Sequence, residues 1–225
     1  MPTVLITGAN RGIGLELVRQ YAGDGWQVIA CCREPDQATE LRSLVGKIDI
    51  QPLDVTNEAQ LQQLALSLTG RPIDVLVNNA GIFPEREALG ATDTQTWLQV
   101  FHVNCIAPIH ILEALLPNLA SGTQRKVISI SSGLGSIGSD PTGGNYAYRT
   151  SKAALNMAMA NAAAEMRGKL IIAVLSPGWV QTDMGGGNAP VKVSDSTAGL
   201  RRIIGGLKPA DTGTFFNYDG STLPW

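Results

Sequence analysis

Tyr148 and Lys152 stand four residues apart in Tyr148-Arg149-Thr150-Ser151-Lys152, where a strong helical pattern begins. Residues at that spacing share one helical face, so the phenol and the ammonium point into the same space. A free tyrosine titrates near pH ~10, too high to exchange protons usefully at neutrality. A cation beside it favours the phenolate, and the partial positive charge of a helix N-terminus pushes the same way. The spacing thus predicts an acid–base tyrosine whose pKa Lys152 lowers. Alone, the pair also fits any solvated helix surface. What distinguishes it is Ser131-Ser132 at the end of an apolar run, a hydroxyl able to hydrogen-bond the oxygen that Tyr148 protonates or deprotonates.

A second cluster suits an anion. Thr7-Gly8-Ala9-Asn10-Arg11-Gly12-Ile13-Gly14 follows an apolar run and opens a helical pattern. Gly8 permits a sharp exit, Gly12 lets a phosphate approach the backbone, and Gly14 lets the helix pack close to the preceding strand. The unpaired N–H groups of that helix start favour a pyrophosphate.

The elements that must hold these groups are legible as runs. Short segments rich in Val and Ile recur at 3–7, 27–32, 47–53, 73–78, 126–131, 169–175 and 214–218. Their hydrophobicity is continuous rather than alternating, as expected of strands covered on both faces of a parallel sheet. Helical patterns intervene at 12–22, 36–44, 58–68, 94–119, 147–166 and 194–204. Such alternation predicts a single α/β domain, doubly wound, with seven mostly parallel strands and helices on both faces. In this architecture ligands bind at the carboxyl ends of the strands, where all the motifs above fall.

The glycine spacing, the serine after the fifth strand, the Tyr–Lys pair and Asn78-Asn79-Ala80-Gly81 together resemble the short-chain dehydrogenase/reductase family, and the resemblance spans essentially the whole chain. Segments 146–152, 177–186 and 216–220 look like its C-factor and Sniffer-type carbonyl reductase branch. The resemblance implies an oxidoreductase that moves hydride between nicotinamide and a carbonyl or alcohol. Ser132 would be the catalytic serine, Tyr148 the acid–base, Lys152 the residue that tunes Tyr148 and holds the nicotinamide ribose, and Asn104 the holder of a relay water. Gly8, Asn10, Arg11, Gly12, Ile13 and Gly14 would cradle the cofactor. Asp54 and Val55 would meet its adenine, Asn78, Ala80 and Gly81 would line it, and Pro177, Gly178, Val180 and Thr182 would hold its carboxamide end.

The interval from Ser132 to Tyr148 is longer than the family's commonest spacing, which keeps Ser131 in play. Strand alternation sends Ser131 to one face while the next residue leaves at the strand end, favouring Ser132. By the family's register, Cys32 takes the position where an acidic residue would select NAD, and Arg33 follows it. Arg33 and Arg11 would welcome a 2′-phosphate that a carboxylate repels, which implies NADP. Glu34 is the counterweight, since a register one residue different would make it the ribose partner.

Composition narrows the alternatives. The chain has 225 residues, 44% hydrophobic and 16% charged, with a net charge of −2 and no long basic run, which disfavours a nucleic-acid surface. Three cysteines form neither a disulfide framework nor a metal-ligand pattern, and are expected as buried thiols in the cytoplasm. His102 and His110 are expected to be structural, and Tyr146 to pack or line the cleft. Residues 185–196, beginning in glycine, are expected to form a substrate flap. The two long helical stretches suit a homodimer. A dinucleotide-reading sensor of C-factor type is the rival to an enzyme; sugar-nucleotide epimerisation would need a substrate domain for which this length leaves no room.

Overall fold

The strand from Thr3 to Thr7 has every residue buried, and its neighbours in the sheet are almost as dry. A computed structural model describes residues 1–139 and 142–225. Its strands are β1 (Thr3–Thr7), β2 (Gln27–Cys32), β3 (Lys47–Pro52), β4 (Val75–Asn78), β5 (Lys126–Ile130), β6 (Ile171–Ser176) and β7 (Thr214–Asn217). They form one sheet in the order β3-β2-β1-β4-β5-β6-β7, with every pairing parallel. The order reverses between β1 and β4, which opens a crevice at their carboxyl ends.

Alternate residues of the strands feed two separate cores. Val4, Ile6, Val28 and Ala30 pack with Leu17 and Val18 of α1 (Gly12–Gly23) and with Leu200 and Ile204 of α8 (Val193–Gly206). Leu5, Ile29, Leu76 and Val127 face the other way. They meet Leu61 of α3 (Glu58–Ser67), Ile111 of α5 (Ala107–Ala114) and Leu155 of α7 (Tyr146–Glu165). Two apolar faces are the reason the strand sequences read as unbroken hydrophobic runs.

The stretch 94–119 is not one helix. It divides into α4 (Thr94–Phe101), a π turn (His102–Ile106), α5 and then α6 (Leu116–Ser121). Pro108 and Pro117 sit at the starts of α5 and α6, where a missing N–H is tolerated. Pro108 cannot donate back to residue 104, and the backbone widens there: Ala107 donates to His102 five residues earlier. Residues 36–44 likewise give a 3-10 turn (Pro35–Gln37) and the short α2 (Thr39–Ser43). Among the described residues, Cys31, Cys32 and Cys105 are free and buried, and no helix is long and apolar enough to cross a membrane.

Candidate active site

The crevice at the strand ends is a cleft of about 520 Å³ whose walls come from both halves of the sheet. Gly8, Asn10, Arg11, Gly12, Ile13 and Gly14 form one wall. Gly8 and Gly12 take left-handed φ values of 64° and 53°. Gly14 is required for a different reason: a Cβ there would lie 2.2 Å from the Gly8 carbonyl oxygen. No side chain caps the first turn of α1 and no acidic residue lies in it, so its N–H groups face the cleft uncompensated. This cradle, too tight for side chains and rich in donors, fits a dinucleotide pyrophosphate.

The wall is braced from β4. The Asn79 amide donates to the carbonyls of Thr7 and Gly8, at 2.9 and 3.1 Å, while the Thr7 hydroxyl accepts the N–H groups of Asn79 and Ala80. Asn79, Ala80 and Gly81 line the cleft. Asn78 does not: it is buried behind the wall and donates to the Pro108 carbonyl at 3.3 Å. As the last residue of β4 it faces the core, and Asn79 takes the cleft position.

At the adenosine end, Cys32, Arg33, Asp54 and Val55 line the wall, and Glu34 is exposed outside it. Burial pushes the Asp54 carboxyl up, but hydrogen bonds from the Thr56 hydroxyl and N–H and the charges of Arg33 and His102 outweigh it, leaving it below its ordinary value. Arg33 has no ion pair within 4.0 Å among the described residues. Arg11 does: it meets Asp183 at 3.3 Å, with both side chains largely exposed. The 2′-phosphate reading therefore rests on Arg33, because a carboxylate already engages Arg11.

The other end holds Tyr148 and Lys152, both buried on α7. The Lys152 ammonium donates to the Ile130 carbonyl at 2.8 Å and lies 5.8 Å from the Tyr148 ring centroid. Ser132 leaves β5 as the alternation argument required, accepting the Leu134 N–H and facing the phenol, whereas the Ser131 hydroxyl is turned inward to Asn156 at 2.7 Å. Burial pushes the Tyr148 phenol up to about 12, with Ser132 the group that pulls it back. Burial also pushes Lys152 down to about 8, opposed by the neighbouring Cys105. The phenol thus lies above its ordinary value, not below it as the Tyr–Lys spacing predicted, because loss of solvent outweighs what the neighbouring groups can offset.

Asn104, fully buried in the π turn, is also committed. Its Oδ1 accepts from Ile82 N–H and its Nδ2 donates to the Ile82 carbonyl and to Ser151, at 2.9, 2.9 and 3.0 Å. Its side chain fixes the chain at Ile82, which lines the cleft. Pro177 and Thr182 line the cleft; Gly178 and Val180 do not. Gly178 backs onto Tyr218, and Val180 is buried and bridges to Val191. Residues 185–196 fold back on this segment, with Gln181 bonded to Val191 and Ala189 and the Trp179 indole to Gly185.

Several wall residues carry no motif. Gln99, His102 and Val103 line the cleft beside Asp54, a placement for His102 that its helical setting did not suggest. Its place two positions before Asn104, on the same π turn, was the available signal. Met184 lines the opposite lip, and Phe83 lays its ring 4.5 Å from that of Tyr148.

A family model for short chain dehydrogenases matches residues 2–190. C-signal of Myxococcus xanthus is 42% identical over 166 residues, covering 73% of this chain and all of that protein. The carbonyl reductase Sniffer of D. melanogaster superposes over the full length of both chains with a TM-score of 0.95 and 36% identity. An NADPH-bound carbonyl reductase from chicken fatty liver gives 0.94 and 35%, covering all of this chain and 99% of that one. With its Rossmann-type sheet and glycine cradle, the chain belongs to the short-chain dehydrogenase family of oxidoreductases.

Proposed function

We propose that this chain is an NADPH-dependent carbonyl reductase, and that Tyr148 delivers the proton to the substrate oxygen. The carrying observation is Tyr148 and Lys152 buried together at one end of a cleft, with the Ser132 side chain beside the phenol, and Arg33 at the other end without an ion pair among the described residues. The carbonyl reductase structures of 36% and 35% identity support it. In this reading the glycine turn and the α1 N-terminus hold the pyrophosphate, Asp54 and Val55 meet the adenine, Arg33 meets the 2′-phosphate, and Lys152, Pro177 and Thr182 flank the nicotinamide end. When bound, the cofactor supplies the hydride.

The chain's own residues do the rest. Ser132 orients the carbonyl oxygen, and the Tyr148 phenol, protonated at neutrality, gives up its proton to that oxygen. Lys152, still an ammonium at pH 7, stabilises the phenolate left behind. Phe83 against the phenol makes the substrate side aromatic, which suits a ketone, aldehyde or quinone with an apolar body.

Tyr148→Phe should leave NADPH binding intact and lower carbonyl turnover by roughly 10²- to 10⁴-fold. Undiminished turnover would refute the assignment. A wild-type protein that binds NADPH but reduces no ketone, aldehyde or quinone would favour the sensor reading that the C-signal likeness keeps available. The buried thiols suit a reducing compartment, and we place the protein in the cytoplasm. Leu98, Ile106 and Met157 are exposed apolar residues on α4, the π turn and α7, which suits burial against a second copy; sedimentation at twice the monomer mass would bear this out.

A further inference from the structure

We infer that Glu87 is a positioning residue for Tyr148, locking the start of the catalytic helix to the loop that carries Phe83. The inference rests on the role proposed above for Tyr148. Glu87 is buried, and both of its carboxylate oxygens accept the backbone N–H of Ala147, the residue before Tyr148, at 3.2 Å each. Among the described residues it makes no ion pair within 4.0 Å. What compensates this carboxylate is the N-terminus of α7, a helix of 20 residues with no side-chain cap of its own.

The chain enters α7 through three successive left-handed residues, Gly143, Gly144 and Asn145, at φ 74°, 69° and 55°. That path has little intrinsic preference for one course, and Asn145 pays a steric cost in it. It is held from residues 86 and 87: the Glu87 carbonyl accepts the Asn145 N–H at 3.0 Å, and a Cβ on Gly144 would lie 3.0 Å from the Arg86 Nε. The same loop begins at Ile82, fixed by Asn104, and passes Phe83, whose ring meets Tyr148. The loop thus grips Tyr148 twice, from the ring face through Phe83 and from the helix start through Glu87. Displacement by about 1 Å of a group that must meet a reacting atom costs up to roughly 10²-fold in rate. Glu87 touches no reacting atom, so its contribution is geometric.

Purified Glu87→Ala, Glu87→Gln and wild-type protein would be compared for quinone reduction, NADPH binding by fluorescence titration, and amide hydrogen exchange. Glu87→Ala is expected to lower kcat by about 10- to 100-fold with a smaller change in KM, to keep NADPH affinity within about twofold, and to speed exchange at Ala147 and Tyr148. Glu87→Gln retains an oxygen acceptor and should recover kcat to within about threefold of wild type. Should Glu87→Ala fail to fold, Glu87→Asp, one methylene short of Ala147, takes its place with the same expectation. Unchanged kcat in the shortened variant, or equal loss in the Gln and Ala variants, overturns the inference. Absence of turnover in the wild type counts instead against the proposed function, and unchanged exchange at Ala147 would then overturn the positioning role.

Discussion

Replacing Gly14 by alanine tests whether the glycine turn is a cradle or merely a tight turn, because Gly23 at the other end of α1 supplies an internal control. A methyl on Gly14 would lie 2.2 Å from the Gly8 oxygen and 2.6 Å from the Asn79 amide nitrogen. Contacts closer than 3.0 Å do not persist, so α1 and Gly8 must part by roughly 0.8 Å. Asn79 cannot yield cheaply, since its amide bridges Thr7 and Gly8. Overpacking of this kind costs about 1–3 kcal/mol, a Tm lower by roughly 2–12 °C in a domain of this size. The displaced N–H groups are those that would face the pyrophosphate, so NADPH should bind about 10- to 100-fold more weakly. At Gly23 a Cβ meets nothing within 4 Å, and Gly23→Ala should gain up to about 1 kcal/mol of helix propensity without changing NADPH affinity. Calorimetry and fluorescence titration of the two variants read both quantities. Wild-type Tm and NADPH affinity in Gly14→Ala, or weakened binding of equal size in Gly23→Ala, would refute the reasoning.

Arg33→Asp removes the unpaired cation at the adenosine end and installs a carboxylate beside the ribose. NADPH affinity should fall by about 10- to 100-fold while NADH affinity rises, and equal affinities for the two cofactors in the unmodified protein would contradict the assignment. Burial holds Lys152 near 8 while Tyr148 keeps its proton to about 12, so kcat/KM for carbonyl reduction should decline as pH rises through about 8 and the ammonium is lost. A profile flat to pH ~9.5 would show that the charge of Lys152 is not used.

The strands were legible because both faces of the sheet are covered, and seven apolar runs became seven strands with ends shifted by a residue or two. The helix expected over 94–119 was not, because apolar periodicity continues through Pro108 and Pro117 while the hydrogen-bond ladder does not. Within the site, residue types and their spacing pointed to Ser132, Tyr148, Lys152 and the glycine turn. What they could not give is how each polar group is spent. Arg11 is engaged by Asp183, 172 positions away, and Asn104 by Ile82 and Ser151. Glu87 reaches the start of α7 across 60 positions with no motif to mark it. Asn78 and Asn79 differ only by the alternation at a strand end, where one residue of error exchanges core for cleft.

The corrected electrostatics also bear on direction. Had Lys152 lowered the Tyr148 phenol toward neutrality, the pair would serve proton donation and proton removal about equally at pH 7. Burial instead leaves the phenol near 12 and the lysine near 8, so both carry their protons at neutrality. The pair stands ready as an acid, the form that carbonyl reduction consumes. Alcohol oxidation would need the phenolate first, and burial makes forming it at pH 7 costly before any substrate chemistry begins. Only further positive charge brought close to the phenol could remove that cost, because Ser132 already pulls it down and the Lys152 ammonium already bonds Ile130. Burial therefore keeps Tyr148 in the protonated form that carbonyl reduction would draw on, while making the phenol a weaker acid than a free tyrosine, so the phenolate left behind needs the Lys152 ammonium close by.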